Sequence, residues 1–571
     1  MRCRRAPGLF QTDAHFSRDL TTLQGGAPLL YNWNRMETPI DPKWLLLSPD
    51  LDQNQVFEIF SRAGFKDPRK GDINLQLIAD EPRARHLLAE IITPFLESLS
   101  RAPDPDQALN FFERFSRSAI NKVNLLSYLQ SSPYTVWLLA KVFGTSPFLS
   151  EVLIRYPHYL YWVADSATLD RAVPESVLAA EFSKSLRNIK NFDKSIERLA
   201  VLKHKELLRI GIRDLLNKAS LQETVDSLSS LASVLLGQVL KISKKNVDSK
   251  YGSPVIRKKG GRNSKGGFTI LAMGKLGGGE LNFSSDIDLL FVHETDRGKT
   301  SGKSKRFPES RITNGEYFIY LAQEITSLLT KVTSKGSLYR VDLRLRPEGK
   351  SGEISSTLAR YRQYYLKRGE TWEKLALTKA WPVAGDLSLG KRFLRAVSGF
   401  IYRTGLNRKE LLEIKAIKDR IDEKMADRGK SHLHVKLGIG GIREIEFVVQ
   451  TLQIYYGKAH TGLRERNTLK GLTALYKGRR ISRETFQRLT EAYIFLRRVE
   501  NSLQMVQENQ VHSLPEEDDG LRMTALRLDY RNQREIEATT QFMSDYRFHT
   551  GHVNRIFERL FRSSGKIALP F

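Results

Sequence analysis

The chain has 571 residues, of which 40% are hydrophobic and 27% charged, and a formal net charge of +27. That length exceeds one hydrophobic core and reads as two to four domains of globular composition. A single cysteine, Cys3, excludes an intrachain disulfide and a cysteine metal cluster, and no run approaches the roughly 18–20 uninterrupted apolar residues of a membrane span.

The surplus of positive charge points to an anionic partner (a nucleotide, a nucleic acid or an acidic protein surface) or to a solvated basic surface. The start, MRCRRAPGLFQTDAHF, is basic but lacks an apolar core, so no secretory signal is expected, and the cysteine usage fits a cytoplasmic location. Residues 1–50 read as an extension, with 1–35 expected to carry little structure and Met36 as an alternative start. From 51 to 240 helix follows helix: Leu87, Leu88, Ile91, Ile92, Phe95, Leu96 and Leu99 recur at helical spacing. Ser132-Pro133 and Ser146-Pro147 predict two helix starts, with serine as cap and proline in the first turn.

Residues 241–267 change character. Nine are basic and one, Asp248, is acidic, which predicts a basic linker or loop. Residues 268–395 then read as a small α/β core. FTILAM (268–273) and DIDLLFVH (286–293) predict strands, followed by a second basic loop, RGKTSGKSKR (297–306). An amphipathic helix follows, with Phe318, Leu321, Ile325, Leu328, Leu329 and Val332 on one face. LYRVDLRLR (338–346) alternates: Tyr339, Val341, Leu343 and Leu345 on one side, Arg340, Asp342, Arg344 and Arg346 on the other. Helical patterning returns over 396–571. The expected fold class is α+β and mostly helical, with a small mixed sheet between N-terminal and C-terminal helical regions.

The chemistry concentrates in GKLGGGELNFSSDIDLLF (274–291). Asp286 and Asp288 lie two apart on a predicted strand, so both point one way with Cα atoms about 6.6 Å apart. Two carboxylates on one face suit Mg²⁺, which takes oxygen ligands at about 2.0–2.1 Å. Asp342 on the neighbouring acidic strand would complete a set able to support in-line phosphoryl transfer. Ile287, Leu289 and Phe291 are left to anchor the opposite face. Gly274, Gly277, Gly278 and Gly279 would let backbone N–H groups approach phosphate, with Lys275 adding charge and Ser284 and Ser285 adding hydroxyls. Arg344 and Arg346, or Arg340, would offset phosphate charge. Other phosphate motifs do not fit: the P-loop pattern needs glycine at 269 and a hydroxyl residue at 276, which are Thr269 and Leu276.

A glycine-rich segment followed by two strand aspartates and a third on a neighbouring strand resembles the polymerase-β nucleotidyltransferase superfamily. The longer string AMGKLGGGELNFSSDIDLLF is similar to the glutamine synthetase adenylyltransferase and adenylyl-removing enzyme family. In order, FGTSPFLSEVLIRYP (143–157), YRVDLRLRPEGKSGEISS (339–356), RGETWEKLALTKAWPVAGD (368–386), VKLGIGGIREIEFVVQTLQ (435–453) and AYIFLRRVENSLQMVQENQVHSLPEE (492–517) match its further blocks. The resemblance covers nearly everything after residue 60. It implies a single catalytic half of a family usually carrying two, and its residues resemble the N-terminal, adenylyl-removing half more than the transferring half.

The resemblance also implies a reaction: a Mg²⁺-dependent nucleotidyltransferase that moves AMP onto or off a tyrosine of glutamine synthetase, and so controls nitrogen assimilation. Transfer consumes ATP; removal consumes phosphate and releases ADP. The PII signal protein and a second polypeptide carrying the other half are implied partners, and no membrane is implied. By position, Asp286, Asp288 and Asp342 would be catalytic and hold the metal. Gly274, Lys275, Gly277, Gly278, Ser284, Ser285, Arg344, Arg346 and Lys379 would meet nucleotide or phosphate, with Glu373, Arg443, Glu444 and Glu446 in support. For the last three a purely structural ion-pair network is an equal alternative. His432 and His434 read as solvated. The competing readings are a transferase of the same fold acting on RNA or a small hydroxyl compound, and a non-catalytic regulator binding glutamine synthetase or PII.

Overall fold

The computed structural model describes residues 40–48, 51–257, 263–264, 266–302, 310–403, 405–427, 429, 432–506, 511–533 and 536–562. The expected unstructured stretch 1–35, with Met36, lies outside these residues, as do 258–262 of the first basic loop and 303–306 of the second. The described chain is α+β and mostly helical, with 24 α-helices and one five-stranded mixed sheet among the described residues.

The sheet is built on an antiparallel pair, Phe268–Ala272 with Ile287–His293, in the register Ile270 to Phe291 and Ala272 to Leu289. Trp381–Gly385 adds on the far side of the first strand, antiparallel, with a register shift between Ile270 and Leu271. Two short strands, Val341–Asp342 and Ser355–Thr357, pair parallel with the beginning and the end of Ile287–His293. Period-two alternation puts successive side chains on opposite faces. Here both faces are buried. Ile270, Ala272, Ile287, Leu289 and Phe291 pack with the N-terminal helices, while Leu271, Met273, Leu290 and Val292 pack with the C-terminal helices. The sheet is therefore the middle layer between two helical masses. This parity also decides that Asp286 and Asp288 face the C-terminal helices.

Helix starts follow local chemistry. Pro147–Arg155 begins where the Ser146 hydroxyl accepts from the Leu149 N–H at 3.2 Å, and the same hydroxyl donates to the Met505 carbonyl at 2.6 Å, joining the two helical regions. Pro133–Thr145 also starts as expected, but the Ser132 hydroxyl meets that of Thr135 instead of a helix N–H.

Three expectations change. Residues 241–251 are not linker: the helix Leu221–Tyr251 runs through them to Gly252. Ile242, Ser243 and Val247 keep a buried stripe, the lysines at 241, 245 and 250 stay in solvent, and Asp248 accepts from the Tyr317 hydroxyl at 2.6 Å. This is the one described helix long and apolar enough to cross a membrane, and 61% of its apolar window is buried against its neighbours. Val332 does not join the apolar face at Phe318, because that helix ends at Thr330 and Val332 is 83% exposed. Finally, 338–346 is not a nine-residue strand. Only Val341 and Asp342 pair; the Asp342 carboxylate then accepts from the Arg344 N–H at 2.8 Å and turns the chain. Arg346 holds that turn, donating to the carbonyls of Leu343, Lys350 and Gly352 at 2.9–3.0 Å.

The layers are pinned by buried charge. The Lys379 ammonium donates to Glu280 at 2.6 Å, Glu446 at 2.9 Å and the Thr468 hydroxyl at 3.2 Å. Burial would push the Glu446 carboxyl up, but Lys379 and then Arg443 overcome this and hold it at about 2.

Lys379→Met leaves two buried carboxylates without their cation and should cost about 3–5 kcal/mol, seen as a lower midpoint of thermal or denaturant unfolding. Phe291→Ala opens a cavity in the middle layer, where Phe291 is fully buried and stacks on Phe268 at 5.9 Å. It should cost a similar amount, about 3–5 kcal/mol, by the same measurement. A midpoint equal to the parent in either variant would contradict the layer assignment.

Candidate active site

The acidic residues converge through strand register. Asp288 stands opposite Asp342 on adjacent parallel strands, and Asp286 lies two residues before Asp288 on the same face. Burial raises the Asp288 carboxyl to about 6, and the neighbouring charges of Asp342 and Asp286 push the same way, while Lys436 and Arg443 oppose them. Among the described residues no hydrogen bond reaches the Asp288 carboxylate. Asp286 and Asp342 are both held by arginines. Arg340 donates to Asp286 at 2.6 Å and to the Ser284 carbonyl at 2.8 Å. Arg344 donates to both Asp342 oxygens, at 2.9 and 3.1 Å from Nε and 2.5 Å from its terminal nitrogen. Burial would raise the Asp342 carboxyl, but these Arg344 bonds bring it below the usual range.

The chemistry of these groups suits a divalent cation: three carboxylates on one face, the middle one crowded by like charge and without a hydrogen bond. As the side chains stand, no three His, Cys, Asp or Glu groups among the described residues are close enough to grip one. Arg340 and Arg344 hold two of the three carboxylates to themselves.

The glycine segment forms a short helix, Gly274–Gly278, directly after the first strand. Gly274 has φ +52°, and a side chain there would collide with the Asp288 carboxylate, so glycine is required where the loop crosses the acidic face. Gly277 answers a different constraint. A Cβ there would collide with the Lys379 carbonyl and lie 2.6 Å from that of Ala272. Gly277 and Gly278 are buried, their carbonyls accepting from Arg466 at 2.5 Å and Asn467 at 3.4 Å. They pack the loop onto the C-terminal helices and do not line the cleft; of the expected phosphate-loop residues, Gly274 and Lys275 do.

Several expected roles are corrected by side-chain partners. Lys275 lines the cleft, but its ammonium donates to the fully buried Glu500 at 2.7 Å. Glu500 also accepts from Asn282 at 2.6 Å and meets His512 at 3.0 Å and Arg497 at 3.3 Å. Burial alone would raise Glu500; Lys275, His512 and Arg497 keep it well below the carboxylate range. Lys379 borders the cleft with its ammonium committed to Glu280 and Glu446. Arg346 is committed to its turn. Glu373 caps its own helix, accepting from the Glu370 N–H at 2.8 Å, and does not line the cleft. Glu444 pairs with Lys418 at 2.9 Å and accepts from the Gly440 N–H, also away from the cleft. Arg443 and Glu446 do line it, and they face each other at 3.4 Å. Ser285 lines it as well, while Ser284 is buried beside Arg340, its hydroxyl accepting only a long contact from that arginine at 3.4 Å. His432 is exposed; His434 is not solvated but half-buried, accepting from the Leu437 N–H at 3.0 Å and stacked 5.7 Å from His512.

Together these groups surround a cleft of about 570 Å³ between the sheet and the C-terminal helices. Its acidic lining is Asp286, Asp288 and Asp342, and its apolar lining is Leu345, Trp372, Leu375, Ile417, Ile421 and Phe447. Lys436 and His512 line it as well. Sequence reading quoted the blocks containing Trp372, Lys436 and His512 without singling them out, because nothing in their local spacing shows that three distant segments meet.

Residues 136–396 match the family model described as Glutamate-ammonia ligase adenylyltransferase, and residues 415–561 match that described as GlnD PII-uridylyltransferase. The chain is 33% identical over 452 residues to a bifunctional glutamine synthetase adenylyltransferase/adenylyl-removing enzyme of Nitrosococcus oceani, covering 79% of this chain and 45% of that protein. Proteins of the same description from Thioalkalivibrio sulfidiphilus and Psychromonas ingrahamii are each 35% identical, over 67% and 76% of this chain and 38% and 44% of their own lengths. The chain thus spans less than half the length of these relatives. The acidic strands, the glycine loop and the helix capped by Ser146 all fall inside 136–396, and through that region the chain carries a domain of the glutamate-ammonia ligase adenylyltransferase family.

Proposed function

We propose that the chain is a nucleotidyltransferase that controls glutamine synthetase through an adenylyl group on a tyrosine, as a single catalytic half working in the removing direction ahead of the transferring one. The observation that carries this is the in-register pair Asp288 and Asp342 against Gly274, lining a cleft that also has apolar walls. In removal, an oxygen of inorganic phosphate attacks the phosphorus of the adenylyl-tyrosine, the phosphorus–tyrosine oxygen bond breaks, and ADP and a free tyrosine result. In transfer, the tyrosine oxygen attacks the α-phosphorus of ATP and pyrophosphate leaves.

Asp286, Asp288 and Asp342 would hold Mg²⁺, which neutralises phosphate charge at the reacting centre. For that, Arg340 and Arg344 must release their carboxylates, and each then has donors to turn toward phosphate oxygens. The apolar lining suits a flat ring, and catalysis rests on positioning and on fixed charge. Similarity over 415–561 to the PII-uridylyltransferase description supports the PII signal protein as a partner, and the partial coverage of the relatives supports a second polypeptide carrying the other half. A cytoplasmic location accords with these substrates.

The direction is tested in two reactions with Mg²⁺: unmodified glutamine synthetase with labelled ATP, and adenylylated glutamine synthetase with phosphate. ADP release in the second, exceeding label gain in the first, is expected. Asp286→Asn combined with Asp288→Asn should abolish turnover in both while leaving the circular dichroism spectrum unchanged. Full turnover in that double variant would refute the site.

A further inference from the structure

Resting on the nucleotidyltransferase reading, we propose that Lys436 is the phosphate-binding cation of the cleft, assisted by Arg443. The assignment follows from where the other positive charges are spent. Lys275 is held by Glu500 at 2.7 Å and Lys379 by Glu280 and Glu446 at 2.6 and 2.9 Å. Arg344 is bound to Asp342 through three nitrogen–oxygen contacts and can turn to phosphate only once a cation takes that carboxylate from it, and the His512 ring meets Glu500 at 3.0 Å. Lys436 is different. It lines the same cleft, it is half-buried, and among the described residues its ammonium makes no hydrogen bond or ion pair.

Its backbone is fixed: the Lys436 carbonyl accepts from the Arg443 N–H at 3.0 Å, which places the two side chains at one turn. The Arg443 guanidinium lies 5.5 Å from the Phe447 ring centroid and makes one side-chain hydrogen bond, to Glu446 at 3.4 Å, so most of its five donors are without an acceptor. The Lys436 charge acts on Asp288 and on Glu446 across the cleft, so it stands within electrostatic reach of the acidic centre. A half-buried ammonium without a counter-ion is unfavourable unless an anion completes it. Lys436 and Arg443 supply a point charge and a planar fork to the cleft that the three carboxylates also line, a combination suited to a phosphate group entering with a divalent cation.

The test uses the full chain and its Lys436→Gln and Lys436→Arg variants, with Mg²⁺ and either inorganic phosphate or ATP as probe. Calorimetry gives affinity and steady-state assays give KM in each direction. Lys436→Gln should weaken phosphate binding or raise the corresponding KM by about tenfold or more, the scale of one lost charge-assisted contact. Lys436→Arg should recover most of that loss, and the thermal midpoint should not move in either variant. A loss confined to inorganic phosphate assigns the site to the attacking phosphate, and a loss confined to ATP assigns it to the nucleotide; both uphold the proposal. Unchanged affinity and KM for both probes in Lys436→Gln, with the parent active, overturn it and leave the proposed function standing. Loss of binding in Lys436→Gln upholds it even where the parent turns over neither form of glutamine synthetase, a result that would count against the proposed function alone.

Discussion

Three buried carboxylates and the cations that neutralise them hold the glycine loop in place. Glu280, Glu446 and Glu500 are all buried, and each is met by a lysine or arginine from a different part of the chain. Burying a charge is costly unless it is paired and hydrogen-bonded, so none of these groups can leave its partner cheaply. Glu280 and Asn282 sit in the segment between the glycine helix and the acidic strand; Glu446, Arg497 and Glu500 belong to the C-terminal helices. Arg497 bridges the two, donating to the Glu280 carbonyl at 2.6 Å and to the Asn282 side chain. The glycine loop is therefore not a free phosphate cradle. It is a packed element whose geometry depends on helices more than 150 residues further along the chain.

This constraint shapes the electrostatics of the cleft. Because Lys275 and Lys379 are consumed in fixing the loop, the acidic face above it is compensated from elsewhere. Arg340 and Arg344 reach Asp286 and Asp342 from either side of the two-residue strand that carries Asp342, and Asp288 is left to the more distant charges of Lys436 and Arg443. The middle carboxylate is thus the most crowded and the least bonded, which is the arrangement a cation relieves. The two arginines stand at the rim, largely exposed, where exchange between a carboxylate and a phosphate oxygen costs little.

Much of this architecture is legible in the amino-acid order. Ile287, Leu289 and Phe291 alternate with Asp286, Asp288 and Leu290, so a strand with one acidic edge follows from period two. Ser146-Pro147 marks a helix start that forms. Other features escape local reading because a local pattern has more than one use. Lysines at 241, 245 and 250 look like a linker until Ile242 and Val247 are seen to keep a buried stripe beneath them. The alternation over 338–346 looks like a long strand, yet Asp342 can also accept from the Arg344 N–H, and that bond wins and turns the chain. Gly277 looks permissive for phosphate, while its actual restriction is the Lys379 carbonyl pressed against it.

By itself the sequence determined the fold class, the order of the elements and the acidic face, because periodicity, caps and residue spacing act over a few positions. It also carried the family, through strings of residues long enough to be specific. Only the tertiary structure decided which charges are free. Whether a lysine binds phosphate or neutralises a buried carboxylate depends on what stands within about 3 Å of its ammonium. For Lys275 that group is Glu500, for Lys379 it is Glu280 and Glu446, and for Lys436 it is the open cleft. The partners lie from 67 to 225 residues away in the chain, a separation no local pattern spans.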